Sequence, residues 1–366
     1  MSVANKKTNK KKLVIKKEVI KAKKSKLKVR PKAIKQISQL RHNLVTDEWV
    51  VVAVGRGKRP DDFSLENESV QEDADIEDCL FCDPIASGQE KDVLIYKTDD
   101  DDWTLRVFPN KFPAFARPKA GRVSHQEEGP YFMMDGVGYH EVIVTRDHYK
   151  HIGKMEPIMV AELIDAYQTR YLDLMNKKSV RYIEIFHNHG KKSGASIEHP
   201  HSQLIAVPVV SPFTVQELAG AENYYRANKR CVFCTMIKWE LDYAKRVIFE
   251  NDLFIAYCPF ASKMAFEIRV IPKRHTPYFE RMSDEEKIAA GEALHQAIRK
   301  LTTVIEGVAF NFFIDTAPCD GKDYPHYHWH IEILPRTATW AGFELSSGME
   351  ITAIEPEVAA EYLRKA

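Results

Sequence analysis

No stretch of this 366-residue sequence approaches the ~18 consecutive apolar residues of a membrane-spanning helix. An apolar core of ~7–15 residues near the start is missing as well, because lysines break Leu13-Val14-Ile15 from Val19-Ile20, which makes this a poor secretion signal. Together these absences lead to the expectation of a cytoplasmic protein. Acidic residues are nearly missing from positions 1–35, which carry fifteen Lys or Arg against the single Glu18, a net of +14. With +1 for the whole chain, residues 36–366 carry −13. The first 35 residues are also poor in aromatics, so a disordered Lys-rich tail is expected there. It suits contact with nucleic acid or anionic lipid, but such runs are unspecific and a solubilising tail is the favoured reading. Negative charge over the remainder should repel a polyanion, so nucleic acid is not an expected partner. Cysteine is sparse too: six residues, of which four form the pairs Cys79/Cys82 and Cys231/Cys234. In a reducing compartment such CxxC pairs favour metal over disulfide, and Cys258 and Cys319 are expected to be inert.

What is present is concentrated in His199-Pro200-His201-Ser202-Gln203. In an extended segment alternate side chains share a face, so His199, His201 and Gln203 can look into one cleft. A neutral imidazole is a good nucleophile toward phosphorus, and the phosphorus–nitrogen adduct can pass its group onward. Pro200 fixes one torsion between the two histidines.

The chain also repeats itself. A CxxC pair, an apolar stretch, a strand ending near a histidine (His148 or His275), a helix, a strand, and a histidine-bearing strand occur twice in the same order. Val160, Leu163, Ile164, Tyr167, Tyr171 and Leu174 define one helix face, and Leu294, Ile298, Leu301 and Ile305 the other. Pro157 suits the first turn of the first helix, and Ser283 with Glu286 reads as a capping box for the second. The expected fold is therefore α+β, with tandem duplicated domains over 36–212 and 213–366, each a mixed or antiparallel sheet with packed helices. Each half supplies two thiolates and two imidazoles, a closed tetrahedral set suited to structural zinc, two ions per chain. The first set is Cys79, Cys82, His148 and His199; the second is Cys231, Cys234, His275 and either His326 or His328. His326, His330 and Glu332 share a strand face with His328, and a sugar-pocket or relic role is expected for His330 and Glu332.

Over residues 38 to 360 the chain resembles the galactose-1-phosphate uridylyltransferase family, a branch of the histidine-triad nucleotide transferases, and equally the related ADP-glucose phosphorylase of plants. The motifs are Arg41-His42-Asn43-Leu44 with Trp49, Gly55-Arg56-Gly57-Lys58-Arg59-Pro60, Phe108-Pro109-Asn110, Phe186-His187-Asn188, Gly194-Ala195-Ser196 and the HPHSQ run. The resemblance implies that His201 attacks the α-phosphorus of a nucleotide sugar, that Gln203 donates to the phosphoryl oxygen, and that turnover is ping-pong. It places Ser196, Asn110 and Asn188 at the phosphates, with Arg56 and Arg59 binding phosphate across a dimer interface. It makes His199 a zinc ligand with Cys79, Cys82 and His148, and points to His275 and His328 for the second zinc. The acceptor-sugar segment is Gly342, Phe343 and Glu344, with phenylalanine where uridylyltransferases have tyrosine.

The expected activity is thus nucleotidyl transfer between a nucleotide sugar and a sugar 1-phosphate by a homodimer, with UDP-glucose and galactose 1-phosphate as the first pair. ADP-glucose phosphorolysis is the alternative, and Cys231/Cys234 pull toward it. A zinc-containing nucleic-acid binder is a distant third reading. A plain hydrolase is disfavoured, because Gln203 suits a covalent adduct kept for another acceptor.

Overall fold

The computed structural model describes residues 37–54, 76–118 and 123–366. The tail over 1–35, and with it Arg56 and Arg59, lies outside the described residues. Within this region residues Gln36–Ala366 form one compact unit. Its strands are β1 (Gln39–His42), β2 (Trp49–Val52), β3 (Leu94–Lys97), β4 (Trp103–Pro109), β5 (His125–Glu128), β6 (Tyr131–Met134), β7 (Tyr139–Thr145), β8 (Tyr182–His189), β9 (His201–Val207), β10 (Val247–Glu250), β11 (Phe254–Tyr257), β12 (Ile268–Pro272), β13 (Phe310–Asp315), β14 (His330–Pro335) and β15 (Ile351–Thr352). Its helices are α1 (Pro157–Met175), α2 (Pro212–Asn228), α3 (Val232–Tyr243), α4 (Asp284–Val304), α5 (Gly342–Ser347) and α6 (Pro356–Lys365).

Ten strands make one sheet in the order β10-β11-β12-β14-β13-β8-β9-β7-β4-β3. Every neighbouring pair in it is antiparallel. Read outward from the central β8–β13 pair, the five strands of the first half follow the same chain logic as the five of the second. This is the α+β, antiparallel architecture that the strand and helix patterns predict.

Period-two alternation gives the sheet two unlike faces. On one, Ile183, Ile185, Leu204, Phe310, Phe312, Ile331 and Ile333 join the main core with Leu163, Ile164 and Tyr167 of α1 and Leu294, Ile298 and Leu301 of α4. All six α1 positions named from periodicity are buried. The capping box is present at the start of α4, where Glu286 N donates to Ser283 Oγ at 3.3 Å and Ser283 N to Glu286 Oε2 at 2.9 Å. The two helices approach so closely that a Cβ on Gly291 would lie 2.6 Å from Ala161 N, which is why this position holds glycine.

The opposite face carries the polar residues of the same strands, among them Gln203, Asn188, Asn311 and Glu332, and is only partly covered. Phe81, Trp103, Phe108, Val142 and Val144 form a small apolar cluster under the first CxxC loop. A second cluster, containing Phe233, Ile255, Tyr257 and Ile271, lies under α2 and α3. Both histidine-bearing strands begin later than expected. β9 starts at His201 and β14 at His330, so His199, His326 and His328 belong to the preceding loops rather than to one strand face. The reason is local: Pro200 lacks the N–H that would continue the ladder, and the rings of His199 and His328 are held by the cysteines instead.

Candidate active site and metal centres

Cys79 and Cys82 follow a short 3-10 turn (Ile76–Asp78), while Cys231 is the N-cap of α3 and Cys234 lies in its first turn. Ligand atoms of Cys79, Cys82, His148 and His199 all lie within 4.8 Å of one another, and so do those of Cys231, Cys234, His275 and His328. The Sγ–Nδ1 separations are 3.5 Å for Cys79–His199, 3.2 Å for Cys82–His148 and 3.4 Å for Cys234–His275. Tetrahedral zinc, with bonds of about 2.3 Å to sulfur and 2.0–2.1 Å to nitrogen, sets S and N about 3.5 Å apart. The tautomers agree: Nε2–H of His199 donates to Thr145 O at 2.7 Å, that of His275 to Pro325 O at 3.0 Å, and that of His328 to Pro272 O at 2.9 Å. Each donation leaves an Nδ1 lone pair facing the thiols, as in histidines that bind metal through Nδ1 while a carbonyl holds the other ring nitrogen. Between His326 and His328, the geometry selects His328.

His201 opens β9 directly after the first centre and is 7% exposed. Its Nδ1–H donates to His199 O at 2.8 Å, which leaves the Nε2 lone pair free for attack. Burial lowers its pKa, so the imidazole is neutral at pH 7. The ring of Phe81 lies edge-on at 5.1 Å between centroids and fixes the imidazole plane.

Gln203, two residues on, shares the His201 face and is oriented by a residue that motif reading does not reveal. Ala114 N donates to His140 Nδ1 at 3.2 Å, so the proton of this imidazole sits on Nε2, which donates to Gln203 Oε1 at 2.8 Å. The Gln203 amide nitrogen is thereby turned away, as a donor toward the cleft. His140 lies on β7, which pairs with β9 (His140↔Ile205), a relation that chain spacing does not show. Asn110 ends the same corner, with Nδ2 at 3.2 Å from His140 Nε2 and its Oδ1 accepting from Phe112 N at 2.9 Å. Asn188 sits on β8; the register Phe186↔Gln203, His187↔Ser202, carried one residue further, sets it opposite His201. Behind the strand Ser202 is locked by Tyr167 (2.5 Å) and His187 (2.9 Å).

Ser196 is exposed in the loop between β8 and β9. Gly342, Phe343 and Glu344 are in the short exposed helix α5, where Glu344 Oε2 accepts from Ala341 N at 3.1 Å. Among the described residues no hydrogen bond or ring contact joins α5 to His201.

Residues 27–211 match the galactose-1-phosphate uridyl transferase N-terminal domain, and residues 240–338 match the HIT domain. ADP-glucose phosphorylase of Arabidopsis thaliana is 30% identical over 335 residues, covering 90% of this chain and 93% of that protein. The chain belongs to the galactose-1-phosphate uridyl transferase family. Another member, the galactose-1-phosphate uridylyltransferase of Thermotoga maritima, is 28% identical and covers 89% of this chain and 98% of its own. The crystal structure of the Arabidopsis thaliana ADP-glucose phosphorylase with bound ADP-glucose superposes with a TM-score of 0.76, at 28% identity, over 90% of this chain and 99% of that one. The family is one of nucleotidyltransferases.

The second half of this uridyl transferase-family chain repeats the geometry around a different chemistry. His330 Nδ1 donates to His328 O at 3.0 Å and faces Phe233 at 5.0 Å, as His201 does with His199 and Phe81. Its Nε2, however, meets Asp315 Oδ2 at 3.5 Å and Glu332 Oε1 at 3.8 Å, with Glu217 completing a buried group. Glu332, in the place of Gln203, is paired with Arg269. His330 is thus enclosed by acidic side chains and the Arg269–Glu332 pair, whereas His201 has the neutral amides of Gln203 and Asn188 beside it.

Proposed function

We propose that the protein transfers a nucleotidyl group from a nucleotide sugar to a phosphate-bearing acceptor through a covalent nucleotidyl-His201. The observation that carries this is the neutral, tautomer-fixed His201 beside a Gln203 whose amide nitrogen faces the cleft. His201 Nε2 attacks the α-phosphorus, and the bond to the bridging oxygen breaks as sugar 1-phosphate leaves. An acceptor phosphate oxygen then attacks the same phosphorus, breaking the P–N bond and freeing the imidazole. Gln203 donates to the oxygen on which charge develops, and Asn110, Asn188 and Ser196 bind phosphates. Arg56 and Arg59 complete this set across a homodimer interface, and Gly342, Phe343 and Glu344 hold the acceptor sugar. The exposed apolar hairpin residues Tyr131 and Phe132 support such pairing.

UDP-glucose and galactose 1-phosphate form the first substrate pair. ADP-glucose with inorganic phosphate is the second reading, and it draws support from the 30% identity to an ADP-glucose phosphorylase. Incubation with each labelled nucleotide sugar, acid-free trapping and mass spectrometry test both. Uridylyl on His201 supports the first pair and adenylyl the second, and an undiminished adduct on His201→Ala rules out the mechanism.

The two Cys₂His₂ sets are assigned to structural zinc, which when bound anchors the loops before β9 and β14; with four protein ligands each, neither set leaves a position for activated water. Elemental analysis should return about two zinc ions per chain, and chelation should lower the thermal midpoint. Tandem duplication of one ancestral unit accounts for the matched strand order and matched centres in residues 36–212 and 213–366. No helix among the described residues is long and apolar enough to cross a membrane.

A further inference from the structure

Arg336, just past β14, carries no salt bridge among the described residues, although it is half-buried. Its backbone N–H donates to Ala309 O at 2.7 Å, so the position is firmly held. Of its side-chain nitrogens only Nε has a partner there, Asn311 Oδ1 at 2.6 Å. An arginine can only donate, and the Ser193 carbonyl, which takes Asn311 Nδ2 at 2.9 Å, can only accept. Asn311 is therefore clamped in one amide orientation. Its Nδ2 also meets Asn188 Oδ1 at 2.5 Å, which fixes the second amide in turn and leaves Asn188 Nδ2 as an unused donor on the His201 face. Asn188 and Arg336 line one pocket of about 340 Å³. The pocket wall also holds two carboxyls. Asp315 is turned to His330, and Glu184 accepts from Tyr182 OH at 2.9 Å, with burial pushing its pKa up to about 8. Neither faces the free guanidinium nitrogens as a partner.

A half-buried guanidinium with both terminal NH₂ groups unused and no counter-charge suits an anion, and its fork fits phosphate oxygens. The geometry points to Arg336, with Asn188 Nδ2, as the binding site for the phosphate that departs on sugar 1-phosphate and that enters on the acceptor. The inference rests on the proposed nucleotidyl-histidine reading, since Asn188 is placed beside the transferred group by its position opposite His201. Because the leaving and the entering phosphate occupy one place in a ping-pong cycle, a single residue serves both half-reactions.

The test uses the full chain and Arg336→Gln, with Arg336→Lys alongside. Discharge of the preformed adduct is followed against the concentration of inorganic phosphate and of galactose 1-phosphate, and affinity for AMP and UMP, which lack the second phosphate, is measured separately. Arg336→Gln should raise the KM of the effective acceptor at least tenfold, leave affinity for the effective nucleoside monophosphate within twofold, and keep the thermal midpoint; Arg336→Lys should recover part of the loss. An unchanged acceptor KM, or a parallel loss of nucleoside monophosphate affinity, overturns the assignment. If the parent chain forms no adduct, the reaction reading fails by itself. Calorimetric titration with inorganic phosphate still decides on Arg336, whose replacement must weaken binding at least tenfold for the inference to stand.

Discussion

Two imidazoles determine what Gln203 can do. His201 has its proton on Nδ1, and His140, with its proton on Nε2, holds the glutamine carbonyl so that the amide faces the cleft. His140→Ala releases that orientation, and loss of one such hydrogen bond, about 1.4 kcal/mol, should slow adduct formation about tenfold in single-turnover experiments. Substrate affinity should change less. Two further histidines contribute to the acid limit. Burial holds His151 down at about 3 and His189 at about 4, each below the ~6.5 of an exposed imidazole. Between these values the unfolded chain binds protons that the folded chain refuses, so stabilisation that is complete above ~6.5 is lost as the pH falls toward 4. Urea midpoints measured from pH 7 to 4.5 should decline, and the decline should be shallower in His189→Phe, which keeps the ring stack on Phe310. Equal slopes in the two proteins would disprove it. The two Cys₂His₂ groupings are readable from the repeated order of CxxC pairs and histidines, and the structure brings those side chains together. His140, Asn311 and Arg336 are not readable in this way, because each acts through cross-strand neighbours far away in the chain.

The α1 and α4 pair shows how packing translates a periodic pattern into a fixed contact. Their apolar faces were legible at 3.6-residue spacing, whereas the need for Gly291 was not, since it depends on Ala161 of the other helix. Adding one methyl at Gly291 forces the pair apart, and Gly291→Ala should destabilise the protein by about 1–3 kcal/mol in urea unfolding, despite alanine's higher helix propensity. A stabilising result would mean that the helices adjust at no cost. Helices α2 and α3 left weaker marks in the sequence, because they cover a face in which Glu217 and Glu240 are buried beside apolar residues. β9 begins two residues later than the alternation predicts for a related reason: alternation describes where side chains can point, but the cysteines decide where His199 does point.

Across all ten strands, the two halves are joined by hydrogen bonds as well as by side chains. Phe310↔His189 through Phe313↔Phe186 form an antiparallel ladder identical in kind to those within each half. The fold class and the order of the elements were visible in the repeat, but the repeat alone did not say that the halves share a sheet instead of standing as separate bodies. One sheet implies one cooperative unfolding transition, which calorimetry should show as a single peak with equal calorimetric and van't Hoff enthalpies. Cutting the chain between Val207 and Pro212 leaves no covalent tie between the halves, and β8 and β13 then become raw edges, each a template for foreign pairing. Produced separately, the two fragments should precipitate; produced together, they should find each other and rebuild the intact sheet, so that the seam which unites the protein also makes it divisible into complementing parts.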